Sequence, residues 1–241
     1  MTMPLLRTLP LSPLDDAAYA RLWPLLDEGE QARARRFVFE ANRREYVAAH
    51  GLARLWLGRL LGRPPAALAF TPLTPQGKPG LVDAPAGLDF NLSHTDGLVA
   101  CAVTLDAGAR IGVDVERRDR RIGAELATAM FAAEELAWLD ARPAGRGGPD
   151  LVTFWTLKEA YIKALGVGLS LPTDSFAMAP EGPALVRHDG SLPSDLACRL
   201  WVRDLPSGHT AAVAWLGPAW LEGEGQLPAD LVTEEGLADL W

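Results

Sequence analysis

Apolar positions near the start of the chain recur every three to four residues. Leu14 to Leu26 forms one such pattern. Glu30 to Leu61 forms a longer one, carried by Phe37, Tyr46, Ala49, Leu52, Leu55, Trp56 and Leu60. This is the spacing of a helix with one buried face. Gly62 followed by Pro64-Pro65 ends it. After a turn-rich loop, TPLTPQGKP (71–79), the period shortens to two. Phe90 to Ser93 and Leu98 to Leu105, joined by a turn at Thr95-Asp96-Gly97, predict a hairpin, and Ile111 to Glu116 predicts a third strand. Helical spacing returns over Ile122 to Ala141 and Val152 to Leu165, separated by the loop ARPAGRGGPD (141–150), with Gly166 placed as a C-terminal cap. Leu171 to Met178, Cys198 to Val202 and Thr210 to Leu216 predict further strands.

The order helices, strands, helices, strands predicts an α+β fold of two similar halves meeting near residues 106 to 112, although no sequence repeat marks the duplication. The division is an N-terminal half (1–108), a C-terminal half (109–216) and a loosely attached tail (217–241). The chain has 241 residues, 49% apolar and 22% charged, enough for a substantial core. No apolar run is long enough to span a bilayer. Prolines 4, 10 and 13 interrupt the apolar N-terminus, which does not read as a signal peptide. Cys101 and Cys198 lie in apolar surroundings and suit a reducing, cytoplasmic compartment better than a disulfide or zinc site.

A net charge of −8 argues against a nucleic-acid binder. Yet Arg33, Arg35, Arg36, Arg43 and Arg44 crowd one segment. That patch suits a small anionic ligand, or is a solvated helix face.

Three segments carry candidate chemistry. In IGVDVE (111–116), strand alternation puts Ile111, Val113 and Val115 on one face and Gly112, Asp114 and Glu116 on the other. Two such carboxylates can share a hard cation such as magnesium, or form an acidic sheet edge neutralised by Arg117 and Arg118. In FWTLKEAYIKALG (154–166) lie Lys158 and Lys163, two of three lysines in a chain with twenty arginines. Glu159 and Lys163 make an ordinary i,i+4 pair. Lysine also supplies a compact point charge that reaches between phosphate oxygens. The third lysine, Lys78, sits in a Gly-Lys-Pro loop, as a ligand contact or simply a turn. In FNLSHTDG (90–97), Asn91 and Ser93 share a face opposite Phe90 and Leu92, and His94 stands where strand gives way to turn. Such a position presents a donor well, though many lone histidines are structural.

Together, in this order and at these separations, the segments resemble the 4′-phosphopantetheinyl transferases of the surfactin-synthetase-activating type. The matching elements are Ser93-His94, then Gly112-x-Asp114-x-Glu116, then Trp155-x-x-Lys158-Glu159-x-x-x-Lys163. The resemblance covers roughly residues 30 to 215, and the loop at Lys78 and the Arg35-Arg36-Phe37 segment add to it. It implies a pseudo-dimer of two α/β halves with the active site between them. It also implies magnesium-dependent (or manganese-dependent) transfer of the phosphopantetheine arm of coenzyme A to a serine of an apo acyl or peptidyl carrier protein. The by-product is adenosine 3′,5′-bisphosphate. By the same resemblance Asp114, Glu116 and Glu159 hold the metal. Glu159 is the candidate base, with a pKa depressed by the neighbouring cation. Lys163 meets the pyrophosphate, Lys158 borders the site, and Ser93 and His94 contact phosphate. Lys78 with Arg33 reaches the 3′-phosphate, and Arg44 lies near the adenosine end. Trp155 fixes the helix as a core residue. Two positions depart from the family: Glu30 where a basic residue is common, and Tyr46 where a small hydroxyl is common. An enzyme of this kind is expected to be a monomer. It is expected to present a neutral-to-basic apolar rim to an acidic carrier helix. The residues also admit an inactive coenzyme A-binding or carrier-docking protein, or a magnesium-dependent phosphohydrolase.

Overall fold

The computed structural model describes residues 4–75, 77–181, 183–189, 196–218 and 232–234. The first half runs β1 (Leu5–Pro10), α1 (Asp16–Leu22), α2 (Glu28–Ala34), α3 (Glu40–Leu61), β2 (Phe70–Pro72), β3 (Pro79–Leu81), β4 (Asp89–Thr95) and β5 (Leu98–Thr104). The second runs β6 (Arg110–Arg117), α4 (Ala124–Met130), α5 (Ala133–Asp140), α6 (Pro149–Leu165), β7 (Phe176–Ala179), β8 (Ala184–His188), β9 (Leu196–Asp204) and β10 (His209–Pro218). A last strand, β11 (Val232–Glu234), follows.

The two halves repeat one topology. Each opens with a strand, adds helices ending in a long one, passes through a two-stranded ribbon and closes with an antiparallel pair. The sheets have matching orders, β1-β5-β4 in the first half and β6-β10-β9 in the second. Alternation sorts the core. Val99, Cys101 and Val103 of β5 pack toward α3 with Leu52 and Trp56. Leu98, Ala100 and Ala102 face the other sheet, where they meet Ile111, Val113 and Val115 of β6 and Trp215 of β10. Ala212, Ala214 and Leu216 of β10 pack with Phe154, Leu157 and Tyr161 of α6. The order of layers is helix, sheet, sheet, helix.

Several sequence expectations need correction. The helix expected over Glu30–Leu61 is two helices, with Phe39 in extended conformation just before the second. On one straight helix Glu30 and Arg54 would lie about 36 Å apart. The break folds α2 back so that Glu30 Oε2 accepts from Arg54 Nε at 2.8 Å. An Asp27–Glu30 capping box starts α2. The helix expected over Ile122–Ala141 likewise breaks at Phe131, which turns extended and buries its ring against Phe154. Glu135 then caps the new start by accepting from the Ala132 N–H at 2.8 Å. Of Leu171–Met178 only the end is strand, after two short 3₁₀ turns. The proline-broken N-terminus is a central strand. The stretch expected as a loose tail gives β10 its last two residues and pairs β11 in parallel with β1; its remaining residues lie outside those described. Gly62 and Gly166 do end α3 and α6, both in the left-handed conformation. Among the described residues, no helix is long and apolar enough to cross a membrane.

Candidate active site

The site grows out of the seam where β4 of one half meets β6 of the other. Polar side chains take the place of a backbone ladder there. Asp89 Oδ2 accepts from the Ile111 N–H at 2.7 Å, Asn91 Oδ1 from Val113 at 3.0 Å and Ser93 Oγ from Val115 at 3.3 Å. Alternation puts all three on one face of β4. The opposite face of β6, bearing Gly112, Asp114 and Glu116, turns toward α6. A Cβ on Gly112 would run into the Ala160 carbonyl oxygen and the Ala164 nitrogen, so only glycine lets α6 lie this close. That approach brings Glu159 and Lys163 over the carboxylates of β6.

Lys163 Nζ donates to Asp114 Oδ1 at 2.6 Å and to Ser93 Oγ at 2.9 Å, and Ser93 Oγ lies 2.9 Å from the same Asp114 oxygen. Asp114 Oδ2 is buried without a hydrogen-bond partner, a costly arrangement for a carboxylate oxygen. Glu116 accepts from Thr95 Oγ1 and from Trp155 Nε1, both at 3.2 Å, and is ion-paired with Arg120. Trp155 packs against the core of the second half, as expected, and also borders the site, with Arg120 over its ring at 5.4 Å. The Glu159 carboxyl is held above its ordinary range, first by burial and then by the charge of Asp114, against the opposing pull of Lys163 and Arg120. Among the described residues, no three metal-capable side chains are gathered into one ligand set. Lys163 and Arg120 stand against Asp114 and Glu116 instead. The donors are nonetheless all carboxylate oxygen, suited to a hard divalent ion, and Asp114 Oδ2 is free to take one.

Other expected site residues lie elsewhere. Lys158 is 2% exposed on another face of α6. It does contact a carboxylate, but that of Glu135, at 2.7 Å, and it also donates to the Phe176 carbonyl at 2.6 Å. It cannot reach phosphate without breaking a buried ion pair. Lys78 is sunk into the far end of the seam, donating to Asp89 Oδ2 at 2.6 Å and to the Ile111 carbonyl at 2.9 Å. Burial lowers its pKa, against the attraction of Asp89. Arg44 is taken up by Asp16 and Glu40 over the Tyr19 ring. It lines a groove between α1 and α3 with Trp23 and Arg35. Arg33 lies over Tyr46 at 5.7 Å and lines a different cavity of about 320 Å³, between α2, α3 and the β2–β3 ribbon. His94 stands half-exposed at the end of β4, its Nδ1 3.2 Å from Glu45 Oε2 of α3.

Sequence reasoning did not single out Asp89, Thr95, Arg120 or Glu45. For the first two the signal was present. DFNLSHT alternates from Asp89 to Thr95, so the face assigned to Asn91 and Ser93 extends to both ends of β4.

Fold and site together define a two-halved α+β protein with an acid–lysine cluster at the junction of its halves. Two family models together cover most of it. The model described as 4′-phosphopantetheinyl transferase, N-terminal, matches residues 13–106, and the 4′-phosphopantetheinyl transferase superfamily model matches 110–214. The chain is 38% identical over 163 residues to the 4′-phosphopantetheinyl transferase HetI of Nostoc sp., covering 66% of this chain and 68% of that one. It is 32% identical over 216 residues to a phosphopantetheinyl transferase of Thraustochytrium sp., covering 83% and 73%. It is 26% identical over 206 residues to the 4′-phosphopantetheinyl transferase Sfp of Bacillus subtilis, covering 83% and 87%. The chain belongs to the 4′-phosphopantetheinyl transferase superfamily and is an enzyme of that kind.

Proposed function

We propose that the enzyme transfers the 4′-phosphopantetheine group of coenzyme A to a serine of an apo acyl or peptidyl carrier protein, with magnesium, releasing adenosine 3′,5′-bisphosphate. The observation that carries this reading is the unpartnered buried Asp114 Oδ2 beside Lys163 and Glu159. Asp114, Glu116 and Glu159 would hold the ion. Bound there, magnesium supplies charge neutralisation of the pyrophosphate.

The chain's own residues do the rest. Lys163 leaves Asp114 for the pyrophosphate and steadies the phosphate that departs. Glu159 takes the proton of the carrier serine. The cation it would share lowers a carboxylate's pKa, so the value of Glu159 as a base would lie in its proximity to the serine. His94, steadied by Glu45, donates to a phosphate oxygen, and the Ser93 hydroxyl keeps Asp114 and Lys163 in register. Arg121 and Leu126, both exposed, follow β6 along the chain and suit the rim expected for an acidic carrier helix. Rising salt should then weaken carrier affinity. One chain supplies both halves of the seam, so a monomer suffices.

The test is the intact mass of several apo carriers after incubation with the enzyme, coenzyme A and magnesium. A gain of roughly 340 Da, the mass of one phosphopantetheine arm, is expected. It should vanish without magnesium and with Glu159→Ala. Hydrolysis of coenzyme A without carrier would indicate a phosphohydrolase instead. Coenzyme A binding with no modified carrier would indicate a docking protein.

A further inference from the structure

Four arginines end or follow β6: Arg117, Arg118, Arg120 and Arg121. Two of them serve the surface. Arg117 pairs with Asp96 and Asp119, and Arg118 with Asp204, all exposed carboxylates. Arg120 turns the other way. Its backbone N–H donates to the Arg117 carbonyl at 3.0 Å, and that turn carries the side chain back over the end of the strand. The guanidinium is paired there with the largely buried Glu116 and lies over the Trp155 ring.

The two carboxylates of β6 therefore offer an incoming cation different terms. Asp114 Oδ2 is buried and has no partner. Both oxygens of Glu116 are engaged. Its Oε2 accepts from Thr95 Oγ1, and its Oε1 accepts from Trp155 Nε1 and faces Arg120. A carboxylate oxygen has two acceptor sites, so Oε1 is full. Thr95 and Trp155 are neutral donors that orient the carboxylate and leave its charge. Arg120 cancels that charge. Glu159 lies within the field of the same guanidinium. With Lys163 on Asp114, two cations stand against three carboxylates before any ion arrives. An arginine does not lose its proton at any working pH, so only movement removes this competitor. The Arg120 side chain is 40% exposed and can swing into solvent.

We propose that Arg120 is a displaceable internal counter-ion of Glu116, which a divalent cation must drive off to enter the site, and that it thereby sets the enzyme's affinity for that cation. The proposal rests on the reading above, which puts the ion at Asp114, Glu116 and Glu159. Thr95 and Trp155 keep Glu116 aimed while Arg120 leaves. The consequence is a site that binds its ion more weakly than three carboxylates would by themselves, and that fills only where the ion is plentiful.

The experiment titrates Mn2+ into the full-length enzyme without donor or carrier and reads the free ion from its electron paramagnetic resonance signal. Arg120→Gln removes the competing charge and should lower the Kd by about threefold to tenfold, the range that a partly exposed ion pair can account for. Arg120→Lys keeps the charge and should stay within about twofold of the parent. Arg121→Gln removes an exposed charge from the next position and should also stay within about twofold, because solvent screens it. Weaker binding by Arg120→Gln overturns the proposal, since the guanidinium would then be a prop for Glu116 and not its competitor. An unchanged Kd overturns it too, as does equal tightening by Arg121→Gln, which net charge alone explains. Glu116→Gln separates these failures from failure of the site. It should weaken binding at least about tenfold, as loss of a charged ligand requires. If it instead binds Mn2+ as the parent does, or if neither the parent nor any variant binds the ion, the carboxylate site falls and this proposal with it.

Discussion

Lys158→Met removes the ammonium of a buried pair while keeping most of the side-chain volume. In the parent that ammonium lies 2.7 and 2.8 Å from the two Glu135 oxygens and 2.6 Å from the Phe176 carbonyl. The variant leaves Glu135 with the Ala132 and Met178 N–H groups, each at 2.8 Å. Stripping one partner from a buried pair costs about 3–5 kcal/mol. For a chain of this size each kcal/mol moves Tm by about 2–4 °C, so a fall of roughly 6–20 °C is expected. The pH dependence has a definite sign. Burial already pushes the Glu135 carboxyl above its ordinary value, and Lys158 opposes the rise. Without Lys158 the folded pKa climbs further. A folded state that holds the proton more tightly than the unfolded state loses stability as pH rises from the unfolded pKa through the folded one. The variant should therefore unfold at lower urea at pH 8 than at pH 5, with a wider gap than the parent shows. Lys158→Met/Glu135→Leu should recover at least half of the lost stability. Urea titrations at both pH values measure this, and carrier modification at 15 °C measures turnover of the folded variant, expected within about threefold of the parent. A single variant as stable as the parent would refute the buried-pair argument. A folded variant slowed a hundredfold would place the ammonium in the chemistry.

Gly112→Ala should cost more than about 2 kcal/mol and depress turnover, because the new methyl meets backbone atoms of α6 that cannot turn aside; urea denaturation and carrier modification read the two effects. Asp114→Asn keeps the Ser93 contact but loses the charge facing Lys163, so activity should fall at least a hundredfold and more magnesium should not restore it. Glu45→Gln should lower kcat/KM for coenzyme A by about twofold to tenfold, with little further loss when combined with His94→Ala, because Glu45 acts through His94. Additive losses in that double variant would separate the two residues.

Much of the architecture was legible because burial imposes periodicity. The alternation of Ile111, Val113 and Val115 against Gly112, Asp114 and Glu116 predicted which face of β6 carries chemistry, and Ser93 and Lys163 meet Asp114 there. The errors share a cause. Lys158 and Lys163 are five residues apart on one helix and look alike in sequence, but a partner 23 residues upstream, Glu135, decides that one is structural. The breaks after Ala34 and at Phe131 follow from Glu30 meeting Arg54 and from Phe131 packing on Phe154, contacts that no local spacing records. Lys78 is bonded to Asp89 and to the Ile111 carbonyl, partners that its Gly-Lys-Pro loop does not announce. Periodicity reports which face is buried; it does not report what a buried charge is paired with.

The repeated topology leaves one feature without a twin. Exchanging the halves maps β4 onto β9 and β6 onto β1, so a symmetric protein would possess a second junction, with β9 lying along the outer edge of β1. That edge is instead paired with β11, from beyond both halves. The closing strand thus makes the molecule lopsided. Where two identical subunits would offer paired junctions, the described residues of this chain form one, between β4 and β6.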